Sequence, residues 1–258
     1  MTSYLAMAAA PSLAGSAPVG QPDGKRDTIE MRVLTFASKQ ALDRYAAFLE
    51  NAYFPAVRRI GLGKAGAFTS ADKPDTLSIT LVQAHPAIEA YAAAENRLLQ
   101  DAEFLKAGAA VLDLPPADPP FAHAECSLMV AFESWPRLKA PKEAARDQAR
   151  VFELRTYESH SRKANKKKIE MFNAGESAMF ARNGLQPVFF GETLSGPQIP
   201  NLTYMLTYPN LEAREGLWKA WGADPEKQRL FSIPEYADKL IVSKIHSTFL
   251  KPLPGSMI

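Results

Sequence analysis

Two Glu-x-Arg pairs, Glu30/Arg32 and Glu153/Arg155, each set a carboxylate beside a guanidinium. Residues two apart on a β-strand share a face, so each pair presents both charges to the same side. Such a set can anchor an anionic or carbonyl ligand through the guanidinium fork, or it can be a structural ion-pair cluster that holds two sheets in register. Glu176 follows Gly175 and precedes the apolar run Ala178-Met179-Phe180. A helical carboxylate of this kind is a general base if burial lifts its pKa towards neutrality, and an exposed or salt-bridged residue otherwise. With Glu176 as base, Arg155 and Tyr157 are the candidates for steadying a developing oxyanion. Tyr204 adds a hydroxyl to such a site or is a core aromatic whose OH reaches a carbonyl. Phe172, Phe180, Phe189, Phe190, Trp218 and Trp221 suit an apolar pocket for a flat or acyl ligand, and equally an ordinary helix-on-sheet core. Arg214, four residues before Trp218, has the spacing to stack on it along one helix face. The candidate ligand-binding set is Glu30, Arg32, Glu153, Arg155, Phe180, Phe189, Tyr204 and Trp218.

Other chemistries find less support. His85, His123, His160 and His246 show no metal-ligand spacing such as a helical i, i+4 pair, so no metal and no cofactor is expected. No Gly-rich phosphate loop is present, and the lysines from Lys163 to Lys168 read as a solvated helix face and not as a nucleic-acid site. Cys126 is the single cysteine, which excludes an intrachain disulfide. Its strand context, Ala124 to Val130, predicts a buried structural thiol.

Composition agrees with a globular fold. Of 258 residues 47% are hydrophobic, and 30 basic side chains nearly balance 28 acidic ones, so no nucleic acid or anionic membrane is implied as partner. No apolar run reaches the length of a membrane span. The expected partner is a small molecule or a protein, and the chain is expected to be a monomer or homodimer. Residues 1–27 are small, apolar or polar and carry no Lys or Arg before Lys25. They read either as a flexible tail of a cytoplasmic protein or as the remnant of a signal peptide of an exported one.

The elements that would position these residues come in two similar sets. Glu30-Met31-Arg32 recurs as Glu153-Leu154-Arg155, an offset of 153 − 30 = 123 residues, and the same offset relates Gly61-Leu62 to Gly184-Leu185. The shared spacing predicts a duplication. In the first half, Ile29 to Phe36 reads as a strand and Lys39 to Ile60 as a helix capped by Ser38. Strands at 66–69 and 77–83, a helix over 86–108 and a strand over 124–132 complete a βαββαβ order. The second half repeats it with strands at 151–157, 187–192 and 202–208, helices at 162–183 and 211–222, and a last strand over 239–250. The expected division is a tail at 1–27, a unit at 28–135, a linker at 136–149 and a second unit at 150–258. The fold class is therefore α+β, two tandem ferredoxin-like units joined as an intrachain version of the dimeric α+β barrel. If the Phe152/Leu154 face meets the helices, the Glu/Arg faces of both halves point into the barrel and make its interior partly polar.

The second half also carries a run of motifs: Glu153-Leu154-Arg155-Thr156-Tyr157, Met171-Phe172-Asn173 with Gly175-Glu176, and Pro187-Val188-Phe189-Phe190-Gly191. Pro200-Asn201-Leu202-Thr203-Tyr204-Met205-Leu206, Arg214 with Trp218, Asp224-Pro225 and Pro234-Glu235 follow. In order and spacing these resemble the NIPSNAP family over roughly residues 151 to 258, whereas the first half keeps only the Glu-x-Arg strand. The resemblance implies a ferredoxin-like domain of the dimeric α+β barrel type and no settled reaction. The expected function is binding of a small apolar or amphipathic ligand or of a protein partner. The alternative is a cofactor-independent monooxygenase or isomerase acting in the barrel cavity.

Overall fold

A computed structural model describes residues 26–73, 75–141 and 150–258. Its framework is a closed antiparallel barrel in the strand order β1-β3-β2-β8-β5-β7-β6-β4. The first half supplies β1 (Thr28–Thr35), β2 (Ala65–Ser70), β3 (Ser78–His85) and β4 (His123–Ala131). The second supplies β5 (Val151–Glu158), β6 (Gln186–Ser195), β7 (Asn201–Tyr208) and β8 (Lys244–Pro252). Each half forms one four-stranded sheet, and the seams β2–β8 and β4–β6 close the ring. Closure removes the free sheet edges that either half would otherwise present.

Helices lie outside the ring. In the first half α1 (Lys39–Phe48) begins where the Ser38 hydroxyl accepts from the Ala41 N–H at 3.2 Å. It runs through a π-helical turn, Leu49–Tyr53, into α2 (Phe54–Arg59). The expected helix over 86–108 is two, α3 (Ile88–Leu99) and α4 (Ala102–Leu112). The break falls at Asp101, whose carboxylate accepts from the Phe104 N–H and caps α4. The second half copies this plan. α5 (Arg162–Met171) is capped by Ser161, a π-turn spans Phe172–Glu176, and α6 (Ser177–Arg182) follows. After β7 come α7 (Leu211–Ala223), α8 (Pro225–Phe231) and the short α9 (Asp238–Ile241). The last strand starts at Lys244 and not at 239, because Ile241 is drawn into a small core with Ala164, Met179 and Tyr236.

The 123-residue offset recurs in the coordinates. It relates the starts of β1 and β5 (151 − 28) and of β3 and β7 (201 − 78), and it also relates the two capping serines and the two π-turns. Residues 1–25 of the expected tail and 142–149 of the expected linker lie outside the described residues.

The barrel core is apolar and shared. Ile29, Phe68, Val82 and Met129 of the first half pack with Phe152, Phe189, Met205 and Leu250 of the second, with Met31 and Leu154 against them. Strand alternation therefore sends Glu30, Arg32, Glu153 and Arg155 to the opposite, helix-covered face. This reverses the expectation that the charged faces line the barrel. The period is as expected, but the Phe152/Leu154 face, not the Glu/Arg face, meets the other half. Among the described residues no helix is long and apolar enough to cross a membrane.

Candidate functional site

Beneath α7, on the outer face of the second half, Glu153 is fully buried and saturated with donors. Arg155 Nη1 donates to its Oε1 at 2.6 Å, Arg214 Nε and Nη2 donate at 2.7 and 2.8 Å, Tyr208 donates at 3.0 Å and Ser247 at 2.8 Å. Burial alone would raise the carboxyl pKa, but the hydrogen bonds from Arg214, Arg155 and Ser247 more than reverse it, to about 2. Trp218 Nε1 donates to the Tyr208 hydroxyl at 2.9 Å, and both guanidiniums lie near the Trp218 ring, Arg155 at 5.2 Å and Arg214 at 5.6 Å. From Arg155 the network runs to Tyr157 at 3.3 Å, and Tyr157 and Tyr204 share a 2.9 Å hydroxyl contact. The sequence candidates Glu153, Arg155, Tyr157, Tyr204 and Trp218 thus meet in one cluster, and Phe180 packs on Tyr204 and Trp218. Phe189 does not join them, because it faces the barrel core.

Glu176 ends the π-turn beyond Tyr157. It is 2% exposed and stands 3.4 Å from the ammonium of Lys168, which is 1% exposed. Burial raises the Glu176 pKa and Lys168 offsets part of the rise, and the Glu176 oxygen that faces Lys168 has no other partner among the described residues. Lys168 also donates to Asp238 at 3.1 Å and lies over the rings of Phe231, Phe172 and Tyr157 at 5.1, 5.3 and 5.8 Å. Lys168 therefore does not belong to the solvated lysine face in which it was expected. The 123-residue offset marks it, since it falls on the buried Tyr45 of the first half (168 − 45).

The first half has the same frame with other fittings. His85 stands where Tyr208 does (208 − 85) and Tyr91 where Arg214 does (214 − 91). Cys126, opposite Arg32 in the register, matches Ser247, opposite Arg155. Glu30 keeps Arg32 at 3.0 Å, but His85 Nε2 is 3.5 Å away and Cys126 Sγ 3.8 Å. Burial raises the Glu30 pKa, and His85 and Arg32 bring it below the usual value. Arg32 donates to the Tyr53 hydroxyl at 3.2 Å, and Tyr53 in turn bonds Gln83. Burial pushes the Tyr53 pKa up to about 12. Cys126 is exposed, contrary to the buried thiol expected. Burial of its sulfur against Glu30 holds its pKa above the usual thiol value.

At one end of the barrel a cavity of about 120 Å³ is lined by Met31, Val33, Glu125, Ser127, Thr156, Pro197, Gln198, Asn201 and Thr203. Thr156 and Thr203 share a 2.9 Å hydroxyl contact, and Asn201 accepts from Thr193 at 2.6 Å while donating to the Pro197 and Gln198 carbonyls. None of the candidate catalytic or ligand-binding residues read from the sequence lines this cavity, although Thr156, Asn201 and Thr203 stand within the quoted motifs. Among the described residues no group of three or more His, Cys, Asp or Glu side chains is placed to hold a metal ion.

With that geometry in view, comparison with known proteins finds a family likeness in the second half. Residues 152–257 match the NIPSNAP family model. Comparison with curated proteins returns no match. Over the whole chain the fold is that of a candidate monooxygenase from Fusobacterium nucleatum, with 8% identity and TM-score 0.58, covering 88% of this chain and 93% of the other. A second candidate monooxygenase, from Lactobacillus acidophilus, gives 11% identity and TM-score 0.58, with 88% and 94% covered. A NIPSNAP family protein of unknown function from Agrobacterium tumefaciens is 16% identical over 42% of this chain and 92% of its own, with TM-score 0.36. At these identities the likeness is one of fold. The second half thus has a NIPSNAP likeness and a saturated Glu153 centre, and no reaction follows from either.

Proposed function

We propose that this chain is a binding module that holds one small amphipathic molecule at the mouth of the barrel. The cavity carries the reading. Its lining combines apolar Met31, Val33 and Pro197 with hydroxyl, amide and carboxylate groups, the mixed chemistry that orients a small ligand. A dry protein cavity of about 150 Å³ holds one benzene, so about 120 Å³ suits a ligand of five or six heavy atoms. Next to it the barrel core packs Ile29, Phe68, Met129, Phe152, Phe189 and Met205 together. The Glu153 centre supports binding over catalysis, since both oxygens are already taken by five donors. Millimolar n-butanol should raise the unfolding temperature of the protein by mass action and should not raise that of Thr156→Leu, whose longer side chain fills the cavity. Equal response of the two proteins, or no response of either, sinks the reading.

One observation favours a second reading, a cofactor-independent enzyme with Glu176 as base. Its carboxyl is buried beside Lys168 with a raised pKa, on a π-turn of the kind often found at functional sites. The candidate monooxygenases share this fold, but Glu176, Arg155 and Tyr157 lie under the helices and outside the barrel cavity. Oxygen uptake with an enolisable aromatic substrate, abolished in Glu176→Gln, would support it.

A further inference from the structure

The cavity at the barrel mouth says more about its occupant than size. Among its lining residues Glu125 is the one with an ionised side chain, and no Lys or Arg is present. The exposed His123 ring lies 3.8 Å from the Glu125 carboxylate. Thr156, Thr203 and Asn201 spend their polar atoms on one another and on the loop before β7. Among the described residues three lining groups remain without a hydrogen bond to protein, the Glu125 carboxylate, the Ser127 hydroxyl and the Gln198 amide, and each offers an acceptor oxygen.

The loop that carries Gln198 is held in one shape. Gln198 has φ 60°, a left-handed backbone unusual for a side chain of its size, and the Asn201 amide grips its carbonyl at 3.0 Å and that of Pro197 at 3.2 Å. A Cβ at Gly196 would come within 2.7 Å of the Ser127 hydroxyl, so loop and strand approach closely only because glycine is there. Backbone strain retained beside a cavity marks a place where position matters more than local stability.

Resting on the binding-module reading, we infer that the occupant is a small alkylamine, bound as its ammonium ion. Three acceptors, one of them anionic, match the three N–H donors of an ammonium, and Met31, Val33 and Pro197 match a short alkyl tail. A simple alkylamine is protonated at neutral pH, like a lysine side chain. A carboxylate of the same size meets Glu125 with like charge and finds no cation in the lining.

The test uses n-butylamine, n-butanol and butyrate, titrated into the protein at pH 7 by calorimetry and followed at the Met31 methyl by NMR, so that binding is located in the cavity. The wild type should bind n-butylamine about fivefold more tightly than n-butanol, the gain expected of one partly exposed ion pair, and butyrate not measurably. In Glu125→Gln the ratio of amine to alcohol affinity should fall to about one. Equal affinity for amine and alcohol in the wild type, or a preference that survives Glu125→Gln, overturns the amine and leaves the binding module standing. No shift at Met31 with any probe overturns both.

Discussion

Glu153 shows how a buried charge becomes a stability determinant. Its carboxyl would titrate near 4.5 when free, and the folded protein holds it at about 2. A lowered carboxylate pKa adds stability that is complete above the unfolded value and is lost as pH falls through the folded one. At 1.36 kcal/mol per pKa unit, the contribution is about 3 kcal/mol. Urea unfolding of the wild type should therefore show stability falling between pH 4.5 and 2. Glu153→Gln, less stable at pH 7 because two guanidiniums lose their counter-charge, should show a flatter profile over that window. An unchanged slope would mean that the five hydrogen bonds to Glu153 do not persist in solution. Glu176 runs the other way: with a raised folded pKa, it takes stability from the protein as pH rises above its unfolded value.

At the level of elements, the Lys168–Glu176 pair ties α5 to the π-turn that follows it, and Asp238 adds α9 to the same ammonium. Removing one member of a buried pair strands the other, whereas replacing both by apolar groups relieves the desolvation of each. Lys168→Met should cost about 3–5 kcal/mol in a denaturant melt, and Lys168→Met/Glu176→Leu should recover most of that loss. A double variant no more stable than the single one would show that the pair contributes net stability. The π-turn itself depends on Gly175, whose φ of 153° is a backbone conformation that side chains rarely adopt. Gly175→Ala should destabilise by more than about 1 kcal/mol, read as a lowered urea midpoint with an unchanged slope.

For the molecule as a whole, the question is whether the halves stand alone. Their seams are short, with three paired positions between β2 and β8 and four between β4 and β6, but the barrel core draws on both. The segment after β8 returns to the first half, where Leu253 and Met257 N–H groups donate to Ala67 and Ala65 carbonyls. Ile258 is fully buried over Gly66, at which a Cβ would come within 2.9 Å of the isoleucine. A shared core and crossed termini predict one cooperative transition. Tryptophan fluorescence, which reports only Trp135, Trp218 and Trp221, should coincide with far-UV circular dichroism on heating. Ile258→Ala should lower both midpoints together, by about 2–4 kcal/mol of stability. Separated midpoints would show two independently stable units.

Strand alternation, helix caps and the 123-residue offset are local properties of the chain, so the residue order alone determined the βαββαβ order, the pairing of Glu30 with Arg32 and of Glu153 with Arg155 on one face, and the cap at Ser38. The NIPSNAP motifs were legible for the same reason, being short runs at set spacing. Which face is inside is not local. The Glu/Arg faces turn outward because Arg214 and Tyr208, more than fifty residues from Glu153, arrive there as partners, while Phe152 finds Phe68 of the other half at 4.8 Å. Cys126 looked like a core residue by its strand neighbours, and only the folded chain shows it exposed. Lys168 looked solvated among lysines, and only the arrival of Glu176 and Asp238 allows its charge to be buried. The cavity at the barrel mouth was invisible in the sequence altogether, since its lining gathers one or two residues each from β1, β4, β5, β7 and the loop before β7. The chain encodes each strand's two faces, but the free energy that chooses between them comes from groups that meet only when the barrel closes.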